Sequence, residues 1–288
     1  MDQYIFNALF DTHAIRVCQA DFPFWYTSGK LGPFFINTHF VYGDQESAIA
    51  LLDQIETAAG ADRTQFIAAL LPLMEKNYET SAIYRGVIDR VVEAARGLDF
   101  DLISGGERRD FFFSVLAAKK LGVPHLSIFK DGSCFYTDDA FEETVAASEV
   151  DLSGKRSLHI VDLITVASSF TRAWIPFADA HGVKITQALT VIDRMQGGSE
   201  ILAQENISTT SLLQIDMTLF EKALRDGEID EDQFALVRSF LEDPEAFMAK
   251  FLESHPNFIR QQIMLGGKCE ERARLAIEKG YADLPSAL

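Results

Sequence analysis

Between residues 99 and 194 four short apolar runs, FDLIS, PHLSIFK, SLHIVDLI and KITQALTVIDR, alternate with loops and stretches of helical periodicity. No other feature limits the possible folds as strongly. Strands joined through helices require crossover connections, and crossovers of that kind build a parallel sheet covered on both faces. The helix DFFFSVLAAKKLG has Asp110 as its expected N-cap and Gly122 just past its end. A second helix is predicted over SSFTRAWIPFADAHG, residues 168–182, ending at Gly182. The stretch DGSCFYTDDAFEETVAASEVDLSGKR is acidic and weakly periodic. The predicted fold class is α/β, with a mainly parallel doubly wound sheet whose ligands bind outside the carboxyl ends of the strands.

The flanks differ. Residues 1–80 hold helical segments such as IFNALFDTHAI and SAIALLDQIETAA around an aromatic stretch, FPFWYTSGKLGPFFINTHFVYG. Its Gly and Pro punctuation predicts two short strands around a turn at Ser28–Gly32. After about residue 215 the pattern is helical and acidic, with Asp243–Pro244 in the N-cap/N1 arrangement. The expected division is residues 1–80 as N-terminal helices and hairpin, 81–216 as the α/β core, and 217–288 as a helical extension.

The net charge of −17 repels nucleic acid and anionic lipid, so neither is an expected partner. No run approaches the roughly 18 apolar residues of a membrane span. The N-terminus carries acids and no basic segment, so it does not read as a signal peptide. Cys18, Cys134 and Cys269 are scattered and odd in number, which argues against a disulfide framework. Together these features predict a cytoplasmic protein. His39 and His125 stand alone in apolar surroundings and read as structural.

Because the overall field is negative, any anion site must be made locally. SGGERRD offers consecutive glycines Gly105 and Gly106 for a backbone nest, and Arg108 and Arg109 for bidentate contacts. The same letters also suit a tight turn with solvated arginines. Asp162 ends an apolar strand and is followed by Thr165, Val166, Ala167, Ser168 and Ser169 at a helix start. Amides and hydroxyls there suit a phosphate monoester, with Asp162 reaching a sugar diol or a metal-bound water. A capping cluster around a structural Asp162 is the alternative. Lys130 and the Asp193–Arg194 turn end two further strands, and Lys30 projects from the aromatic hairpin.

Taken in order, HIVDLITVASSFTRA resembles the phosphoribosyl-pyrophosphate (PRPP) fingerprint of type I phosphoribosyltransferases, and specifically that of orotate phosphoribosyltransferases. TSGKLGPFFINT is similar to their N-terminal hood, FDLISGGERRDFFFS to their pyrophosphate loop, and VIDRMQGGSEILAQENISTTSLLQID to their closing segment. The resemblance spans about residues 5–216. Val161 stands in place of the first fingerprint acid, Ala167 in place of the loop glycine, and Leu31 at the hood lysine position beside Lys30. The acidic stretch CFYTDDAFEETVAASEVD stands where the family has a loop rich in Lys and His.

The resemblance implies phosphoribosyl transfer from PRPP to orotate in a homodimer, with Mg2+ carried by PRPP. It implies Asp162, Arg109 and Lys130 as catalytic groups. Thr165, Val166, Ala167, Ser168, Ser169, Gly105, Gly106 and Arg108 would bind phosphates, and Arg194 with the backbone of Phe34 and Phe35 would read the pyrimidine, Lys30 closing from above. The departures leave a second implication open: a PRPP- or nucleotide-binding sensor or partner protein with weakened turnover.

Overall fold

The computed structural model describes residues Met1–Asp283, so the last five residues of the expected extension lie outside the described residues. The first part of the chain forms α1 (Gln3–Asp11), β1 (Ile15–Val17), β2 (Phe24–Trp25), β3 (Leu31–Gly32), β4 (Phe34–Ile36), α2 (Gln45–Ala59), α3 (Phe66–Thr80) and α4 (Ala82–Arg96). The central part forms β5 (Leu102–Gly106), α5 (Phe111–Leu121), β6 (His125–Ile128), β7 (Cys134–Thr137), β8 (Thr144–Ala146), β9 (Arg156–Ile164), α6 (Ile175–Ala180), β10 (Lys184–Asp193), α7 (Gly198–Gln204) and β11 (Ser208–Gln214). The chain closes with α8 (Met217–Asp226), α9 (Glu231–Glu242), α10 (Pro244–Ser254), α11 (Phe258–Leu265) and α12 (Gly267–Glu278).

These elements sort into two units, and the expected boundaries do not match them. The first unit is Met1–Ala14 with Asn37–Ile215; the second is Ile15–Ile36 with the chain from Asp216 onward. Helices α2 and α3 therefore belong with the sheet, and the aromatic hairpin belongs with the C-terminal helices.

In the first unit a seven-stranded sheet has the order β11-β10-β9-β5-β6-β7-β8. Strands β11, β10, β9, β5 and β6 are parallel, as the alternating pattern requires. The chain steps from β5 to β6 on one side and later places β9 on the other. The topological switch point thus lies between β5 and β9, where the crevice for a ligand is expected. Strands β5 and β6 are buried along their whole length, which suits their mostly apolar and small residues. The buried His125 is satisfied by Ser127 Oγ at 3.1 Å and Ser114 Oγ at 3.0 Å. Helix α5 buries Phe111, Phe112, Phe113, Val115 and Leu116 at once, as an all-round apolar helix must. It ends at Gly122 in the left-handed conformation, as expected.

Two stretches differ from expectation. The acidic segment is ordered: β7 runs antiparallel to β6 and β8 antiparallel to β7. Asp138 accepts the amides of Glu142 and Glu143 at 2.9 and 3.2 Å, so one carboxylate closes the turn. The expected helix 168–182 is shorter and irregular. A π-helical turn, Phe170–Trp174, precedes α6, and Pro176 in the first turn of α6 removes a donor there.

In the second unit β1 pairs with β4 and β2 with β3; the hairpin is there, but its turn covers 26–30, since Leu31 and Gly32 of the expected turn pair with Trp25 and Phe24 as a strand. Trp25 stacks on Phe258 at 5.7 Å between ring centres. Leu31 is buried among Met248, Phe251 and Ala276. The Phe34 ring is buried against Phe220 at 5.1 Å and edge-on to Phe240 at 5.6 Å. The turn is tied by Arg272 donating to Thr27 O at 2.8 Å and Lys279 to Ser28 O at 3.2 Å. Gly29 sits at φ 83°, and a Cβ there would come within 3.2 Å of Leu275 and Ala276. Only glycine serves both conditions. Asp243 caps α10 through the amides of Glu245 and Ala246, as its position before Pro244 predicts.

Candidate functional site

A cavity of about 380 Å³ opens at the carboxyl ends of β5 and β9. Arg108, Arg109 and Lys130 line it together with Asp162 and the loop Thr165–Ser169. The three clusters picked out separately in the sequence therefore share one space. Gly105 and Gly106 end β5 beside it, and Gly106 packs directly on the Trp174 indole. Arg194 sits outside the lining. Its amide donates to Ile164 O at 2.9 Å, which holds the 193–198 turn against the end of β9. Asp193 fixes that turn by accepting Met195 N at 2.8 Å and Ser199 Oγ at 2.6 Å. Lys30, Phe34 and Phe35 belong to the second unit. There Lys30 Nζ is 3.1 Å from Glu245 Oε1 and 5.0 Å from the centre of the Tyr281 ring.

The cations are not equivalent. Arg108 is ion-paired with Glu56. Lys130 is mostly exposed and 3.9 Å from Glu107 Oε1, while Glu107 Oε2 accepts the Lys130 amide at 3.0 Å. Glu107 thereby links the two cationic loops, a role the sequence does not announce. Arg109 has no ion-pair partner among the described residues. Its charge reaches Asp162 and also His39, whose basicity burial depresses first and Arg109 and Arg108 depress further, to a pKa of about 3.

Asp162 is buried at the edge of the cavity. Its carboxyl is pushed up to about 7, chiefly by burial, then by the negative charge of Asp110, against the opposing pull of Arg109. Asp110 occupies the N-cap position of α5 but does not cap it through its side chain. Its oxygens turn back to the amides of Gly106 and Asp162 instead. The expected capping role is therefore corrected. Nothing in the local sequence could reveal those bonds, since one partner lies 52 residues away.

The 165–169 loop adopts its shape at a cost. Ala167 sits at φ 48°, in the left-handed region, which for a residue with a Cβ costs roughly 1 kcal/mol. Gly198 lies directly against Ile164 and Thr165 O, so a side chain there would displace the loop. Substituting Ala167→Gly is expected to raise urea-unfolding stability by up to about 1 kcal/mol, relief of strain outweighing added chain entropy. A loss of stability would show that the methyl is a packing contact.

Two buried neutral histidines give the first unit an acid limb. His39 and His125 both have folded pKa values of about 3, depressed chiefly by burial, against about 6.5 when unfolded. The unfolded chain then binds more protons below 6.5, so their contribution to stability is present above 6.5 and lost as pH falls. The urea midpoint is expected to drop between pH 7 and pH 5, and His39→Phe to flatten that drop. An unchanged slope in the variant would remove His39 from the account.

Among the described residues no group of three or more His, Cys, Asp or Glu could hold a metal ion, and no helix is long and apolar enough to cross a membrane. Cys18 and Cys134 are buried free thiols pushed up to about 11 and about 12 by burial.

No protein-family model matches the chain. The orotate phosphoribosyltransferase of Sulfurisphaera tokodaii is 21% identical over 159 residues, 55% of this chain and 77% of that protein. That of Saccharolobus solfataricus is 25% identical over 161 residues, with the same shares. Among solved structures, Leishmania donovani UMP synthase superimposes with a TM-score of 0.57 at 18% identity, over 83% of this chain and 41% of that one. This chain thus spans less than half of that protein. The orotate phosphoribosyltransferase of Francisella tularensis gives a TM-score of 0.51 at 14% identity, over 82% of this chain and 96% of that one. With its parallel sheet, its switch-point cavity and these likenesses together, the chain has the type I phosphoribosyltransferase fold and a weak sequence similarity to orotate phosphoribosyltransferases.

Proposed function

We propose that this chain transfers the 5-phosphoribosyl group from PRPP to orotate, giving orotidine monophosphate and pyrophosphate. The observation that carries the reading is the cavity itself. A hydroxylated loop, a buried carboxyl and three cationic side chains face one space at a topological switch point. That sequence of groups fits a phosphate, a sugar diol and a pyrophosphate in line.

In this reading the orotate nitrogen bonds to the anomeric carbon as the bond to pyrophosphate oxygen breaks. Arg109 and Lys130 take up charge developing on the leaving group, with Arg108 close by. The amides and hydroxyls of residues 165–169 hold the 5-phosphate, and Asp162 holds the ribose hydroxyls. Catalysis is then mostly positioning and charge stabilisation. Mg2+ belongs to the substrate, arriving on the pyrophosphate. None of Lys30, Phe34, Phe35 and Arg194 lines the cavity, and the Phe34 ring is packed between Phe220 and Phe240, so the expected assignment of these residues to the base is not kept. The active form is assigned to a homodimer, which light scattering would test.

A second reading, a PRPP-binding protein without turnover, is favoured by one observation. Residues 138–143 form an ordered acidic turn between β7 and β8 where a cationic loop would supply catalytic charge. The two readings part in one experiment: mix protein, PRPP, Mg2+ and orotate, and follow orotate absorbance. Turnover is expected. Calorimetric PRPP binding with no turnover at high protein concentration would leave only the second reading.

A further inference from the structure

Beneath the cavity lies a buried polar chain that the proposed chemistry has not used. Asp110 Oδ1 accepts the Asp162 amide at 3.2 Å, and Oδ2 accepts the Gly106 amide at 3.1 Å. His159, fully buried on β9, places Nε2 at 3.5 Å from Asp110 Oδ2. That nitrogen has no hydrogen-bond partner of its own. On the other side of the ring, Nδ1 is 2.8 Å from Ser104 Oγ, which accepts from Ser157 Oγ at 2.7 Å. With its oxygen accepting from Ser157, Ser104 has its proton left for Nδ1, so Nε2 is the ring nitrogen that presents a proton to Asp110. Phe170 and Trp174 hold the ring from the sides, at 4.8 and 6.2 Å between centres.

We infer that Asp110 is a positioning residue for this site, tying the arginine-bearing loop after β5 to the Asp162 end of β9, with His159 orienting it. The inference rests on the PRPP reading for its substrate and on the geometry for everything else. A single carboxylate spans the switch point: one oxygen serves the strand on each side. Relative placement of Arg109 and Asp162 then depends on one side chain, whose two oxygens are both engaged by backbone amides. A neutral amide could not replace it, because its NH2 would confront one of the two N–H donors. The charge also acts on Asp162, as the raised Asp162 carboxyl reflects. The groups facing this pair are His159 from β9, Arg109 from the same loop as Asp110, and His125 behind His159.

The test uses Asp110→Asn in the full chain. PRPP affinity by calorimetry is expected to fall about tenfold or more, the scale of a lost charge-assisted hydrogen bond. In the ligand-free protein the carboxyl carbon of Asp162, followed by NMR, is expected to titrate at lower pH than in the unsubstituted protein, since a like charge has gone. A merely structural role would weaken binding without moving that midpoint. An unmoved midpoint overturns the inference. Should Asp110→Asn not fold, Ser104→Ala removes only the hydroxyl that fixes the ring. It is expected to weaken PRPP binding severalfold and shift the same midpoint, and no change in either overturns the inference. If the unsubstituted protein binds no PRPP, the substrate reading fails, while the ligand-free midpoint still decides the network.

Discussion

Asp162→Asn is expected to stabilise the ligand-free protein at pH 8 while weakening its hold on PRPP. The sign follows from the buried carboxyl. Its folded pKa of about 7 lies above the usual carboxylate range, because burial and then Asp110 penalise the charged form. Below about 4 both folded and unfolded chains carry the proton. Between about 4 and 7 the unfolded chain ionises first, so stability from this group is lost as pH rises and is fully gone above 7. An amide has no charge to bury, so the variant should gain a few kcal/mol at pH 8, on the order of several degrees in melting temperature. PRPP binding should weaken by about 1–3 kcal/mol, the scale of a charge-assisted hydrogen bond. Differential scanning calorimetry at pH 5 and pH 8 checks the first half, and titration calorimetry the second. A variant that is less stable at pH 8 and binds PRPP normally would make Asp162 a structural acid.

Phe34→Ala is expected to cost about 3–5 kcal/mol, because a fully buried ring is removed from between two other rings. The loss should fall on the second unit, where Phe34 meets Phe220 and Phe240. Hydrogen exchange should show deprotection in β1–β4 and α8–α9, with β5, β6 and β9 unchanged. Equal deprotection of the central sheet would mean that the two units do not melt separately. Near-neutral stability would mean the pocket collapses around the missing ring.

The parallel core was legible from residues 99–194 because buried strands between helices leave an unmistakable rhythm. Gly122 and the Asp243–Pro244 cap were legible because each depends on a single local rule. The β7–β8 hairpin was not: its strands hold only Cys134–Thr137 and Thr144–Ala146, and acids dominate the turn between them. Strand β11 is not legible either, since Ser208–Gln214 is largely polar and half-exposed at a sheet edge. At the site, Asp162, Arg108, Arg109 and the 165–169 loop could be found because strand ends are where ligands bind. Asp110 and His159 could not, because their meaning lies in bonds between strands adjacent in space and separated by some fifty residues.

The second unit also sets an order of events. Trp25, Leu31 and Phe34 leave the ribosome well before the helices that bury them, which begin only at Met217. During synthesis nearly two hundred residues must be added before those side chains can leave water, although the sheet unit is complete by Ile215. The nascent chain therefore carries an apolar hairpin on show throughout that interval, a natural handle for chaperones and a hazard wherever translation stalls short of α8.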